Sequence, residues 1–306
     1  MFKHLLVPLD GSRMAEATLP VAVYLARTLG ALVTLFHVIE RGAKQEIHGE
    51  RHLTDPKEAR DYLDEVAVCI FPADIPVERL VHSSKVDDVA RSIIDHVGEL
   101  APDLIVMCTH GRGGLRSFMF GSIAQRVVAL GRTPLLLIPP AGTEAPLTTF
   151  SCKRILVALD GNAEHEEGLK VASSLAKICG AELSLLMAVP TLDTLSGEQA
   201  ATAKILPSAT HALLDFAEQD ANKYLQRNIT LLKTEGVTAT ADVHRGDPAI
   251  VISSTAEQKR ADLIVLATHG KSGMDAFWSG SATPNVANRS VTPLLLVPVR
   301  GKLPAL

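Results

Sequence analysis

The chain repeats itself. Lys3-His4-Leu5-Leu6-Val7-Pro8-Leu9-Asp10-Gly11 returns as Lys153-Arg154-Ile155-Leu156-Val157-Ala158-Leu159-Asp160-Gly161, an offset of 150. Asp103-Leu104-Ile105-Val106-Met107-Cys108-Thr109-His110-Gly111 returns as Asp262-Leu263-Ile264-Val265-Leu266-Ala267-Thr268-His269-Gly270, now offset by 159. Gly121-Ser122 returns as Gly280-Ser281, and Thr133-Pro134-Leu135-Leu136-Leu137-Ile138-Pro139 as Thr292-Pro293-Leu294-Leu295-Leu296-Val297-Pro298, at that same 159. The second copy is therefore about nine residues longer in its middle. Two homologous domains in tandem follow, with boundaries expected at residues 1–141 and 152–300 and a Pro, Gly and Thr-rich linker over 142–151. The length of 306 residues suits two domains of ordinary size.

Within each copy, short apolar runs alternate with amphipathic stretches. Leu5–Leu9, Leu32–Val38, Val77–His82, Leu104–Cys108 and Leu135–Ile138 are continuous runs, as expected of strands buried on both faces of a parallel sheet. Ala15, Leu19, Ala22, Val23 and Ala26 fall at helical spacing, with Gly30 as terminator. Asp55-Pro56 supplies an N-cap and a first-turn proline for a second helix carrying Ala59, Tyr62, Leu63, Val66, Ala67 and Ile70. Its counterpart in the second copy is longer, with Leu213, Leu214, Ala217, Ala221, Tyr224, Leu225 and Leu232 on its apolar face. The fold class is α/β: two tandem doubly wound domains, each with a five-stranded parallel sheet.

Charge narrows the function. Thirty Lys+Arg against 34 Asp+Glu give a net charge of −4, without the basic footprint that nucleic acid requires. No apolar stretch approaches the ~20 residues of a membrane helix, and no secretory core precedes the first strand. Cys69, Cys108, Cys152 and Cys179 form no C-x-x-C and are read as buried thiols of a reducing compartment, so a cytoplasmic protein is expected.

In open parallel sheets, ligands sit beyond the carboxyl ends of the strands. Asp10-Gly11-Ser12 and Asp160-Gly161-Asn162 reach that edge after strand one. Ser12 and Asn162 are natural N-caps and the aspartates natural turn formers, yet the same carboxylates can also meet a ribose hydroxyl or a base. After strand four, Thr109-His110-Gly111, nine residues and Gly121-Ser122 lead into a helix, repeated as Thr268-His269-Gly270, nine residues and Gly280-Ser281. Glycines allow close backbone approach to phosphate, and a helix N-terminus offers N–H groups and a positive dipole end. Ser122 and Ser281 are expected to cap those helices.

These motifs resemble the universal stress protein family, over both halves and nearly the whole chain. The resemblance implies pairing of domains through the fifth strand, a homodimer of tandem chains, and a stress-response regulator or sensor rather than a metabolic enzyme. In the family's nucleotide-binding branch it implies ATP, with or without Mg2+, held by G-x-x-G-x(9)-G-[ST]. Carried over, Asp10 and Asp160 meet the ribose and adenine end beside Pro8, and Val38 and Ala188 occupy the strand-two place whose backbone reads adenine. Gly111, Gly121, Ser122 and Ile123 lie along the phosphate loop, as do Gly270, Gly280 and Ser281. The pattern's first glycine is replaced by Cys108 and Ala267. In the second half Pro284 withdraws an N–H from the helix start and Asp275 sits in the loop, whereas Arg112 and Arg116 stand in the first.

Two other function classes compete. A nucleotide-free scaffold that captures a protein or lipid through the paired domains is motivated by Cys108 and Ala267. A slow ATPase ranks third: no P-loop, no S-G-G-x-D-S loop and no G-x-G-x-x-G after strand one occurs, and no catalytic constellation assembles around His110 or His269. His48 and His52, beside Glu46 and Glu50, would share a face to hold zinc only in a helix, and a solvated polar insertion is the expected state. Trp278 can close over a base or serve a domain contact.

Overall fold

A computed structural model of the chain describes residues 1–43, 46–47, 50–109, 121–139, 150–195, 201–202, 205–268 and 282–299. Among these, the chain divides into a first compact unit, residues 1–151 with Pro293–Pro298, and a second, residues 152–268 with 282–292 and Val299.

In the first unit the chain runs β1 (His4–Pro8), α1 (Arg13–Glu16), α2 (Leu19–Leu29), β2 (Leu32–Glu40), β3 (Glu46–Ile47), β4 (Glu50–Arg51), α3 (Pro56–Ile70), β5 (Val77–Val86), α4 (Val89–Leu100), β6 (Leu104–Cys108), α5 (Ser122–Leu130) and β7 (Leu135–Ile138). The main strands pair in parallel in the order β5-β2-β1-β6-β7, so the strand order reverses between β1 and β6. Leu5, Leu6 and Val7 on β1 and Ile105 and Val106 on β6 are fully buried, as strands covered on both faces must be.

In the second unit follow β8 (Arg154–Leu159), a 3-10 turn (Ala163–His165), α6 (Glu166–Cys179), β9 (Glu182–Val189), a second 3-10 turn (Leu192–Thr194), α7 (Pro207–Thr234), β10 (Ala239–Arg245), α8 (Pro248–Gln258), β11 (Leu263–Thr268) and α9 (Thr283–Arg289). Its parallel order β10-β9-β8-β11 repeats the first unit's topology. The last strand, β12 (Leu294–Pro298), falls with the first unit.

Local chemistry explains the elements and four departures from expectation. Val77–His82 is expected to be buried on both faces, but among the described residues β5 is an edge strand paired only with β2, and none of its residues is buried. Gly30 ends α2 at φ +60°, and Asp55 caps α3, accepting from the N–H groups of Lys57 and Glu58 at 2.9 and 3.0 Å. The first helix is not continuous: Pro20 has no N–H to offer the carbonyl four residues back, and the helix breaks after Glu16. On α7 the buried stripe is Leu214, Ala221, Leu225, Asn228 and Leu232, whereas Leu213 is 66% exposed and Ala217 also faces out. Cys108, Cys152 and Cys179 are buried thiols, but Cys69 is exposed on the outer face of α3.

Candidate functional site

The β1 terminus of the first unit is a compact turn. Gly11 sits at φ +81°, a conformation that suits glycine, and a β-carbon there would meet the Leu53 side chain at 2.9 Å. Asp10 Oδ1 accepts from the Ser12 N–H at 2.9 Å and from its hydroxyl at 2.6 Å. Ser12 Oγ in turn accepts from the Ala15 N–H at 3.2 Å and caps α1. The capping role expected of Ser12 is therefore filled, and the turn holds the Asp10 carboxylate at the sheet edge.

Beside it, β2 brings up buried groups that sequence reasoning passed over. His37 is 2% exposed, its Nδ1 2.8 Å from the Leu9 carbonyl and its Nε2 3.2 Å from the Leu53 carbonyl. It thus ties the β1 exit to the segment before α3. Leu53 packs with Ile39 and Ala59 and against Tyr62, whose hydroxyl donates to Glu16 Oε1 at 3.0 Å. Burial pushes the Tyr62 phenol far above its ordinary value, with the Glu16 and Asp10 carboxylates adding to the effect, so it remains a neutral donor. Val38 is buried and lies opposite His82 of β5 in the sheet register.

The second arm of the site comes from β6. Cys108 is buried at the strand end, and Thr109 donates its N–H to the Ile138 carbonyl at 2.8 Å. The Thr109 carbonyl then accepts from the Gly121 N–H at 2.6 Å, so both ends of the connection between β6 and α5 are fixed at one point. Gly121, not Ser122, occupies the N-cap, and among the described residues no side chain caps α5. Ser122 stands exposed in the first turn, with Ile123 38% exposed beside it. Glycine precedes the helix and brings no side-chain acceptor, which is why the serine cap expected here does not form. A helix start of this kind can bind an anion through its leading N–H groups. The α5 start is braced from behind: Asp88 caps α4 through the Arg91 N–H at 3.0 Å and pairs with Arg126 of α5. Those contacts, the backbone N–H first, hold the Asp88 carboxyl below its usual value.

The second unit reproduces the turn but fills it differently. Gly161 sits at φ +82°, Asp160 Oδ1 accepts from the Asn162 N–H at 3.0 Å, and Asn162 caps the 3-10 turn through the Glu164 N–H at 3.0 Å. The other oxygen, Asp160 Oδ2, is 2.6 Å from Nδ1 of the buried His165, which stands at the place of Ala15. Comparing the repeats position by position would have flagged that histidine. Ala188 is half-buried on β9. At the far end, α9 begins at Thr283 with Pro284 in its first turn, and both are buried. Gly168 of α6 packs so closely on β11 that a β-carbon there would lie 3.3 Å from the Ala267 nitrogen and 3.5 Å from its Cβ.

His48, His110, Gly111, Arg112, Arg116, His269, Gly270, Asp275, Trp278, Gly280 and Ser281 lie outside the described residues. The stretch around His52 contains two short antiparallel strands in place of a helix, so the helical zinc face does not exist. Nor is the whole insertion solvated: His52 and Leu53 are buried. A cleft of about 490 Å³ lined by Thr34, Arg60, Asp64, Glu78 and Arg79 lies along β2 and β5, away from the β1 and β6 exits.

Comparison with known proteins agrees with this architecture. The model of the Universal stress protein family matches residues 1–139 and again residues 151–298. A universal stress protein of Mycolicibacterium smegmatis is 22% identical over 305 residues, covering 96% of both chains. Universal stress protein YxiE of Bacillus subtilis is 28% identical over 151 residues, 47% of this chain and 97% of its own. Among solved structures, a universal stress protein from Archaeoglobus fulgidus superposes with a TM-score of 0.68 at 19% identity, over 97% of this chain and 96% of the other, a likeness of fold.

Proposed function

The chain belongs to the universal stress protein family, and from that membership we propose that its first unit binds an adenine nucleotide, ATP by the motif's pattern, as the input of a stress-response regulator or sensor. The carrying observation is the α5 N-terminus: it opens at Gly121, which has no side chain to cap it, is tied to the β6 exit through Thr109, and presents Ser122 to solvent. The residues fit such a group. When bound, ATP supplies a polyanion, with or without Mg2+, suited to a helix N-terminus, and an adenosine suited to a carboxylate and strand backbone. Gly121 and Ser122, with Gly111 and Ile123, would hold the phosphates; Asp10, Pro8 and Val38 would hold the nucleoside. The Cys108 β-carbon stands where the pattern has glycine and narrows the approach.

The corresponding set in the second unit, Asp160, Ala188, Ala267, Gly270, Gly280 and Ser281, is the weaker binder in this reading. His165 engages Asp160, and Pro284 withdraws an N–H from the first turn of α9. Among the described residues no helix is long and apolar enough to cross a membrane. In this reading the regulator is cytoplasmic and works as a homodimer of tandem chains. Native mass spectrometry of freshly purified protein tests the proposal. The expected mass is that of the polypeptide plus one adenine nucleotide, lost in Gly121→Val and kept in Gly280→Val. A wild-type protein that stays at the bare polypeptide mass in excess Mg-ATP overturns it.

A further inference from the structure

On the first unit, β5 and α4 bring together two imidazoles that the nucleotide reading does not use. His82 Nδ1 and His96 Nε2 are 3.3 Å apart, with the rings edge to face at 85°. The protonation of His96 follows from its other contact. Its Nδ1 is 2.8 Å from the Ser92 carbonyl, which can only accept, so Nδ1 carries the hydrogen and the neutral ring turns its Nε2 lone pair toward His82. A ligating histidine is usually oriented this way, with its second nitrogen donating to a carbonyl. Phe36 packs against the His96 ring with centroids 4.7 Å apart and fixes its plane, and the His96 side chain is only 13% exposed.

The spacing is compatible with two uses of the pair. At 3.3 Å the contact is a long nitrogen-to-nitrogen hydrogen bond. Two nitrogens at ~2.0–2.1 Å from one tetrahedral zinc ion stand roughly 3.3–3.4 Å apart. Glu99, one turn along α4, places Oε2 4.0 Å from His96 Nε2 on a side chain that is 72% exposed and able to swing. As they stand, no three ligating side chains converge among the described residues; rotation of Glu99 supplies the third, and water the fourth.

We propose that His82, His96 and Glu99 form a site for zinc or a similar borderline divalent cation, seated where β5 meets α4. The duplicated unit supplies an internal contrast. By sheet register His244 stands at the place of His82, opposite Ala188, but counting from the helix caps Asp88 and Asp247 puts Thr255 where His96 stands. The second unit therefore has one imidazole and no pair at this position.

Calorimetric titration of zinc chloride into the chelator-stripped full chain tests the site. It is done without nucleotide, so its outcome is independent of the nucleotide proposal, and in a Cys69→Ser background, because that thiol is exposed. One zinc per chain is expected from this site, weakened at least about tenfold by H96A and by H82A, and measurably by E99Q. Glu99 is exposed, so E99Q keeps the test readable even where a histidine variant unfolds. Imidazole nitrogen resonances provide a second readout: the His96 Nε2 signal should move on zinc addition, while Nδ1 stays protonated. Superimposable isotherms for wild type and E99Q, together with an unmoved His96 Nε2 resonance, overturn the proposal, as does a wild type that takes up no zinc.

Discussion

Gly11 shows how much a single residue settles at the ligand edge. Its φ of +81° lets the chain turn from β1 into the Ser12 cap, and its missing side chain leaves room for Leu53. Gly11→Ala should lower stability by about 1–2 kcal/mol, from the left-handed backbone and the displaced Leu53, measured as a shift in the urea midpoint at unchanged slope. An unchanged midpoint would show that the turn relaxes without strain. The Asp-Gly turn was legible in the sequence because its chemistry is local. The His37 bridge was not, since it depends on which carbonyls the sheet places next to β2, and His165 was hidden because a histidine beside a short turn looks unremarkable until the 150-residue offset sets it against Ala15.

At the level of elements, apolar runs and helix signals located the strands and helices named for the first repeat, because apolar runs and capping leave strong local marks. The two-sided burial expected of β5 fails because that strand lies at the sheet edge. What else failed was local detail governed by single atoms. Pro20 splits the first helix for want of an N–H, and Gly121 takes the cap position before Ser122 can. Behind that helix start, Asp88 couples α4 to α5. Its folded pKa lies below the ordinary 3.8, so the stability it contributes is complete above that value and disappears as pH falls through the lowered one. Asp88→Asn should therefore lose stability at neutral pH, while its acid limb below about pH 4 becomes shallower than that of wild type. Thermal unfolding across pH 2–7 reads this directly, and parallel acid limbs would remove Asp88 from the account.

Over the whole chain, duplication supplied the fold twice, and the two copies have since diverged where a ligand would sit. In the second a histidine stands where the first has Ala15 and pairs with the β8 aspartate, and a proline enters the first turn of α9. The repeat could be read from sequence because strand and loop motifs were retained, whereas the His165–Asp160 contact depends on where the fold places two side chains, which no spacing encodes. The close approach of Gly168 to Ala267 carries this further. The strand position bears a methyl that the glycine pattern lacks, and the facing helix position bears none. Gly168→Ala crowds the Ala267 backbone, and Ala267→Gly opens a methyl-sized gap; made together they should be less damaging than their sum, with a coupling of about 0.5–1 kcal/mol in a double-mutant cycle. Strict additivity would mean that the helix simply shifts to make room. Coupling of that kind is epistasis: with glycine at position 168, changing Ala267 alone to glycine leaves a gap, so the methyl can change sides only when both residues change together.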